Sequence, residues 1–121
     1  MRALGLILTL LFIGAPSSGI GQERAALDQA DELARVGRTE EARVELLRWW
    51  EEELQGASRL DVQRGLWLRG SLTVDPRQAE LDFRRLVVEY PGGPYSGRAL
   101  LRLAQSALAT ADSATAATHV R

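Results

Sequence analysis

Glu89-Tyr90-Pro91-Gly92-Gly93-Pro94-Tyr95-Ser96 stands between two segments whose apolar residues recur at helical spacing. Upstream lie Ala79, Phe83, Leu86 and Tyr90; downstream lie Leu100, Leu103, Ala104, Ala107 and Leu108. Pro91 cannot continue the first helix and turns Tyr90 away from helical geometry. Gly92 and Gly93 let the chain reverse, and Pro94 and Ser96 suit the first turn of a new helix. The stretch reads as helix stop, tight turn and helix start.

Outward from this joint the same punctuation recurs. Glu23 to Arg35 places Ala26, Leu27, Ala30, Leu33 and Ala34 on one helical face, and Val36-Gly37-Arg38-Thr39 ends it. Thr39 serves as N-cap of a second helix, with Glu40 and Glu41 where the helix dipole favours acid. That helix carries Ala42, Leu46, Leu47, Trp49, Trp50 and Leu54 and closes at Gln55-Gly56-Ala57-Ser58. A third runs from Ser58 to Leu72, and Asp75 as N-cap with Pro76 at the first helical position opens the fourth. The fifth follows the central joint to Ala109, and Ala111-Asp112-Ser113 opens a sixth, cut short at Arg121. No segment alternates with period two, so the fold class is all-α.

Composition narrows the function. There is no Cys, which excludes disulfides, thiolate metal sites and a lipid-modified N-terminal Cys. All 15 basic residues are Arg, a pattern that fits either codon bias or an Arg-selected phosphate surface. The formal net charge of −1 gives no case for nucleic acid. Met1-Arg2 and the apolar run over residues 3–15, followed by Pro16 and small residues, read as a secretory signal peptide over 1–21. Gly19 and Gly21 fit the −3 and −1 positions before the cut, with Ser17 as an alternative cut. The competing reading is a membrane anchor, but the run falls short of the roughly 20 residues that span a bilayer. The working domain is then 22–121, exported to the periplasm or cell envelope.

Repetition decides the architecture. Ala42, Ala79 and Ala116 are spaced by 37 residues, and Leu46, Phe83 and Val120 follow each after one turn. Leu33, Gly70 and Ala107 match in the preceding helices, and Gly37, Val74 and Ala111 mark the turns. A small side chain lets two helices approach closely and the bulky residue fills the neighbouring gap.

These residues resemble a tetratricopeptide repeat. Ala79 and Phe83 with Pro91 eight residues on match its second half, and Gly37-Arg-Thr-Glu-Glu-Ala42-Arg-Val-Glu-Leu46 matches its turn and second helix. With Glu-Tyr-Pro-Gly-Gly-Pro-Tyr-Ser-Gly-Arg-Ala-Leu-Leu-Arg-Leu-Ala, the chain is similar to repeats of bacterial envelope proteins of the BamD and CpoB type. The resemblance covers about residues 24–121. It implies an α-solenoid of about three hairpins (23–56, 58–91 and 94–121), the last incomplete. Gly70 stands where such repeats place an aromatic residue, and Trp67 where they place a small one. The missing Cys and the absence of a preceding heptad coiled coil also depart from those two proteins.

No catalytic constellation is present. His119 is the single histidine, so no triad or His-rich metal site can be built. The carboxylate runs Glu51-Glu52-Glu53 and Asp31-Glu32 read as solvated helix faces, and Gly92-Gly93 lacks the Lys-Ser/Thr of a phosphate loop. The reading is therefore not an enzyme, with no catalytic residues, cofactor or metal. Trp49 and Trp50 point about 100° apart on a helix, so one is open to packing against the next hairpin or to anchoring a partner. Residues 22–56 hold ten acids and five Arg, residues 57–121 six acids and nine Arg. Such polarity steers a partner or favours contact between copies, or is incidental.

The resemblance implies a groove lined by the first helix of each hairpin. Its positions are Arg24, Leu27, Asp31 and Arg35; then Asp61, Arg64 and Leu68; then Arg98, Leu101, Gln105 and Leu108. The expected function is a protein-interaction scaffold in the bacterial envelope, taking a partner peptide or helix along that groove. The alternative is a structural segment of a larger envelope protein. The open third hairpin also offers a surface for self-association.

Overall fold

The computed structural model describes residues 19–119, with side chains from 26 to 118. The leader read over 1–21 lies outside the described residues except for its last three, which open the first helix. Five α-helices follow in order: α1 (Gly19–Arg35), α2 (Thr39–Glu52), α3 (Arg59–Leu72), α4 (Pro76–Glu89) and α5 (Ser96–His119), with one 3₁₀ turn at Leu54–Gly56. Among the described residues there is no strand, and the fold class is all-α. No described helix is long and apolar enough to cross a membrane.

The helix ends follow from local chemistry. Gly37 takes the left-handed φ of 82°. The Arg38 N–H donates to Leu33 O at 2.8 Å and the Gly37 N–H to Ala34 O at 3.2 Å. That is a Schellman stop for α1. Ser58 caps α3 by accepting from the Asp61 N–H at 3.1 Å, and Asp75 caps α4 by accepting from the Arg77 N–H at 2.9 Å, with Pro76 at the first position. Thr39 does not cap α2, as its position suggested: it is already helical, and Arg38 holds the N-cap place without a side-chain cap bond. The Schellman turn leads directly into α2, and Arg38 Nε bridges forward to Glu41 Oε1 at 2.8 Å. At the central joint Gly92 takes φ 73°, and Gly93 O accepts from Ser96 Oγ at 3.0 Å.

Consecutive helices pack across these turns, and α3 also touches α1 and α2. Two core clusters share α3. The first joins Leu27, Ala30, Ala42, Leu46 and Trp49 to Leu68 and Leu72; the second joins Leu66 to Phe83, Leu86 and Ala99. Trp50 packs against both. Glycine on α3 makes room for the large rings. A Cβ at Gly65 would lie 2.5 Å from Trp49 Cζ3, and one at Gly70 would lie 2.8 Å from Phe83 Cε1. Gly70, small where an aromatic residue was expected, thus makes room for the Phe83 ring, while Trp67 packs against Phe83 and Tyr95. Polar ties join the same layers. Arg69 holds the fully buried Asp82 through Nε (2.9 Å) and Nη2 (2.7 Å), while Arg43 Nε donates to Leu72 O at 2.5 Å, the C-terminal end of α3.

The period of 37 is realised twice and then fails. Leu46 and Phe83 are buried at equivalent places in α2 and α4, but Ala107, Ala111 and Ala116 are all exposed on one helix. Among the described residues there is no turn at Ala111, no sixth helix after it and no hairpin from 94 onward: α5 runs unbroken to His119. The residues 104–118 contain neither Gly nor Pro, and Ala dominates them, the best helix former. Ser113 does not cap a new helix. Its hydroxyl donates back to Ala109 O at 2.9 Å, and those of Thr110, Thr115 and Thr118 do the same one turn back along α5.

Candidate functional site

The face built by α1, α3 and the start of α5 gathers the densest polar and aromatic cluster near the expected groove. Arg64 on α3 reaches α1 twice, donating from Nη1 to Asp28 Oδ1 at 2.5 Å and from Nη2 to Asp31 Oδ2 at 2.9 Å. Burial works against its charge, but these two carboxylates outweigh that and raise the Arg64 pKa above its ordinary value. Three residues further along α3, on the same face, Trp67 stacks on Tyr95 with ring centroids 6.1 Å apart and planes 24° from parallel. Arg98, exposed on the first turn of α5, lies 6.0 Å from the Trp67 ring and 5.9 Å from that of Tyr95. Partial burial pushes the Tyr95 phenol up, against a downward pull from Arg64. The charges of Asp31, Arg98 and Asp61 act on the same phenol more weakly.

Of the groove positions, Asp31 and Arg64 are brought into contact, and Asp61 and Arg98 stand nearby. Leu27 and Leu68 are core residues at 0% and 4% exposure and present nothing to a partner. They lie in the core cluster that α1, α2 and α3 share. Arg35 is exposed and paired with Glu32. Leu101, Gln105 and Leu108 are exposed on α5. Arg24 lies in the backbone of α1, and its side chain is outside the described residues.

Sequence reasoning missed Asp28, Trp67 and Tyr95. The signal for Trp67 was its step of three from Arg64, which shares the face as well as the step of four to Leu68 does. Asp28 and Tyr95 carry no comparable mark, since their roles depend on which helix lies opposite. Trp49, one of the candidate anchors, is fully buried. Trp50 is half-buried beneath the Arg69 guanidinium, 3.6 Å from its ring centre. Neither is a free aromatic anchor. Between α2 and the end of α3 a mostly apolar cleft of about 230 Å³ opens among Leu46, Leu47, Trp50 and Leu72.

The chain matches no protein-family model, no curated protein and no solved structure.

Proposed function

We propose that this protein is a non-catalytic interaction scaffold of tetratricopeptide-like hairpins in the bacterial envelope. It binds an acidic, partly apolar peptide or helix along the α1–α3–α5 face. The observation that supports this is Arg98, an exposed cation held against the Trp67–Tyr95 stack, with the exposed Leu101 one turn along the same helix. A guanidinium over aromatic faces keeps donors free for a carboxylate while the rings supply an apolar shelf. Arg64 has a different part. Its donors are engaged by Asp28 and Asp31, so it fixes α1 against α3 and the shape of the surface.

The test is fluorescence anisotropy with labelled acidic amphipathic peptides against Arg98→Glu and Arg64→Glu. Arg98→Glu is expected to weaken binding by roughly tenfold with an unchanged circular dichroism spectrum and melt. Arg64→Glu is expected to lower the melting temperature as well, because two α1 carboxylates lose their partner. Binding unaltered by Arg98→Glu would sink the reading. A second reading, a structural segment of a larger envelope assembly, draws on the last turns of α5. Residues 104–118 are exposed on every side, beside an open groove of about 500 Å³ against α4.

A further inference from the structure

The second helix of each of the two hairpins, α2 and α4, carries an exposed stripe at repeat-equivalent positions. On α2 the stripe is Glu40, Val44, Leu47 and Glu51; on α4 it is Arg77, Leu81, Arg84 and Val88. Each follows the spacing of four, three and four that keeps residues on one helical face, and each α4 position lies 37 residues after its α2 counterpart. The apolar members are largely uncovered: Val44 is 66% exposed, Leu47 58%, Leu81 58% and Val88 70%. Large apolar side chains grouped on one face beside a rim of charge mark an interaction surface more often than scattered ones do.

The two stripes differ in sign. The charged members on α2 are acidic and those on α4 are basic. Glu40 and Arg84 are paired within their own helices, to Arg43 and Glu80, whereas Glu51 and Arg77 make no ion pair among the described residues. Only Glu40 and Arg77 correspond directly, Leu47 matching Arg84 and Glu51 matching Val88, but an acidic stripe on one helix and a basic stripe on the other are complementary in sign.

We propose that the occupant of this face is a second copy of the chain, held in a two-fold dimer in which α2 of each copy lies on α4 of the other. Such an isologous contact makes the same acid-on-base match twice and closes without leaving a free half. Val44 and Leu47 of one copy cover Leu81 and Val88 of the other. The apolar cleft of about 230 Å³ beside Leu47 gives a projecting aliphatic side chain a seat. A symmetric contact of α2 on α2 would oppose acid to acid, and α4 on α4 base to base, which disfavours both. The dimer uses exposed residues of α2 and α4, whereas the peptide surface uses α1, α3 and α5, so either proposal can fail without the other.

The experiment is sedimentation equilibrium of the full chain and of two charge-reversed forms, Glu40→Arg with Glu51→Arg, and Arg77→Glu with Arg84→Glu. The wild type is expected to dimerise at low salt and to dissociate as salt rises. Each double variant alone is expected to dimerise at least roughly tenfold more weakly, because its two stripes carry one sign. Mixed in equal amounts, the two variants are expected to recover a heterodimer, since every acidic stripe again meets a basic one. This mixing arm is unaffected by association through the apolar segment over 3–15, which both variants share. A monomeric wild type, a dimer indifferent to either reversal, or a mixture that stays unassociated would each overturn the proposal. Mass growing without limit as concentration rises would overturn it too, because it requires an open head-to-tail contact.

Discussion

Gly65→Ala tests the packing account most sharply, because propensity and packing predict opposite signs. Gly65 lies inside α3, where replacing Gly by Ala gains about 1 kcal/mol from propensity alone. In the folded protein the new methyl carbon would meet Trp49 Cζ3 at 2.5 Å, Cη2 at 2.9 Å and Trp50 Cζ3 at 3.2 Å. Ordinary carbon contacts begin near 3.5 Å, so the Trp49 ring must retreat by about 1 Å. It has little room, being fully buried and set edge-on against Trp50 at 5.7 Å between ring centres. Overpacking of this kind costs about 1–3 kcal/mol, and a locked ring belongs at the upper end. The net expectation is destabilisation by about 1–2 kcal/mol, or a fall in melting temperature of about 5–15 °C for a domain this size. Thermal circular dichroism reads it directly. Gly97→Ala is the control: a methyl there meets nothing within 4 Å, so the melt should stay or rise. Trp49→Phe should cost less in the Gly65→Ala background than in the wild type, because the smaller ring makes room. A Gly65→Ala protein that melts as high as Gly97→Ala would refute the close approach of α3 to α2.

Two further predictions concern polar groups. Asp82→Ala should cost about 3 kcal/mol in urea unfolding, since it strands Arg69, whose other contact is the Trp50 face; the lower end of the usual 3–5 applies because Arg69 stays 30% exposed. The intrinsic fluorescence should shift in the folded state as the guanidinium leaves that ring. Tyr95 supplies the pH prediction. Its folded pKa lies above the unfolded value near 10, so the folded state holds the proton more tightly. The stabilisation is complete below that unfolded value and is lost as pH rises from there through the folded pKa. Stability measured against pH in this alkaline range should fall in the wild type, and Tyr95→Phe should flatten that slope; equal slopes would discount the burial of the phenol.

The cap and stop residues were legible because their chemistry is local. Asp75, Pro76, Gly37 and Gly92 act on backbone groups within a few residues, and all four do what their types and positions imply. Thr39 misled because a cap needs a non-helical backbone, and the turn at Gly37 had already returned the chain to a helix. Ala111-Asp112-Ser113 misled because a hydroxyl after a small residue can cap a helix or bond back within one, and sequence does not choose. The expected groove was half legible. Helical spacing places Leu27 and Leu68 as close to the Asp31 and Arg64 face as it places Trp67, and only the neighbouring helices decide which of them is covered.

The sequence by itself determined that the described chain is helical and where four of its five helices begin or end. Those features rest on backbone propensity and capping, each set within a turn or two. Tertiary structure alone decided that Arg64 bonds Asp28, 36 residues away, that Gly65 receives Trp49, and that Arg98 lies beside Trp67 and Tyr95. It also decided that the third repeat stays a single helix. Among the described residues nothing packs over 104–118, so the alanines there stay exposed, propensity goes unopposed and the helix continues. In the first two repeats the apolar area of Leu46 and Phe83, buried against the neighbouring helix, overrides such local preference and holds the hairpin.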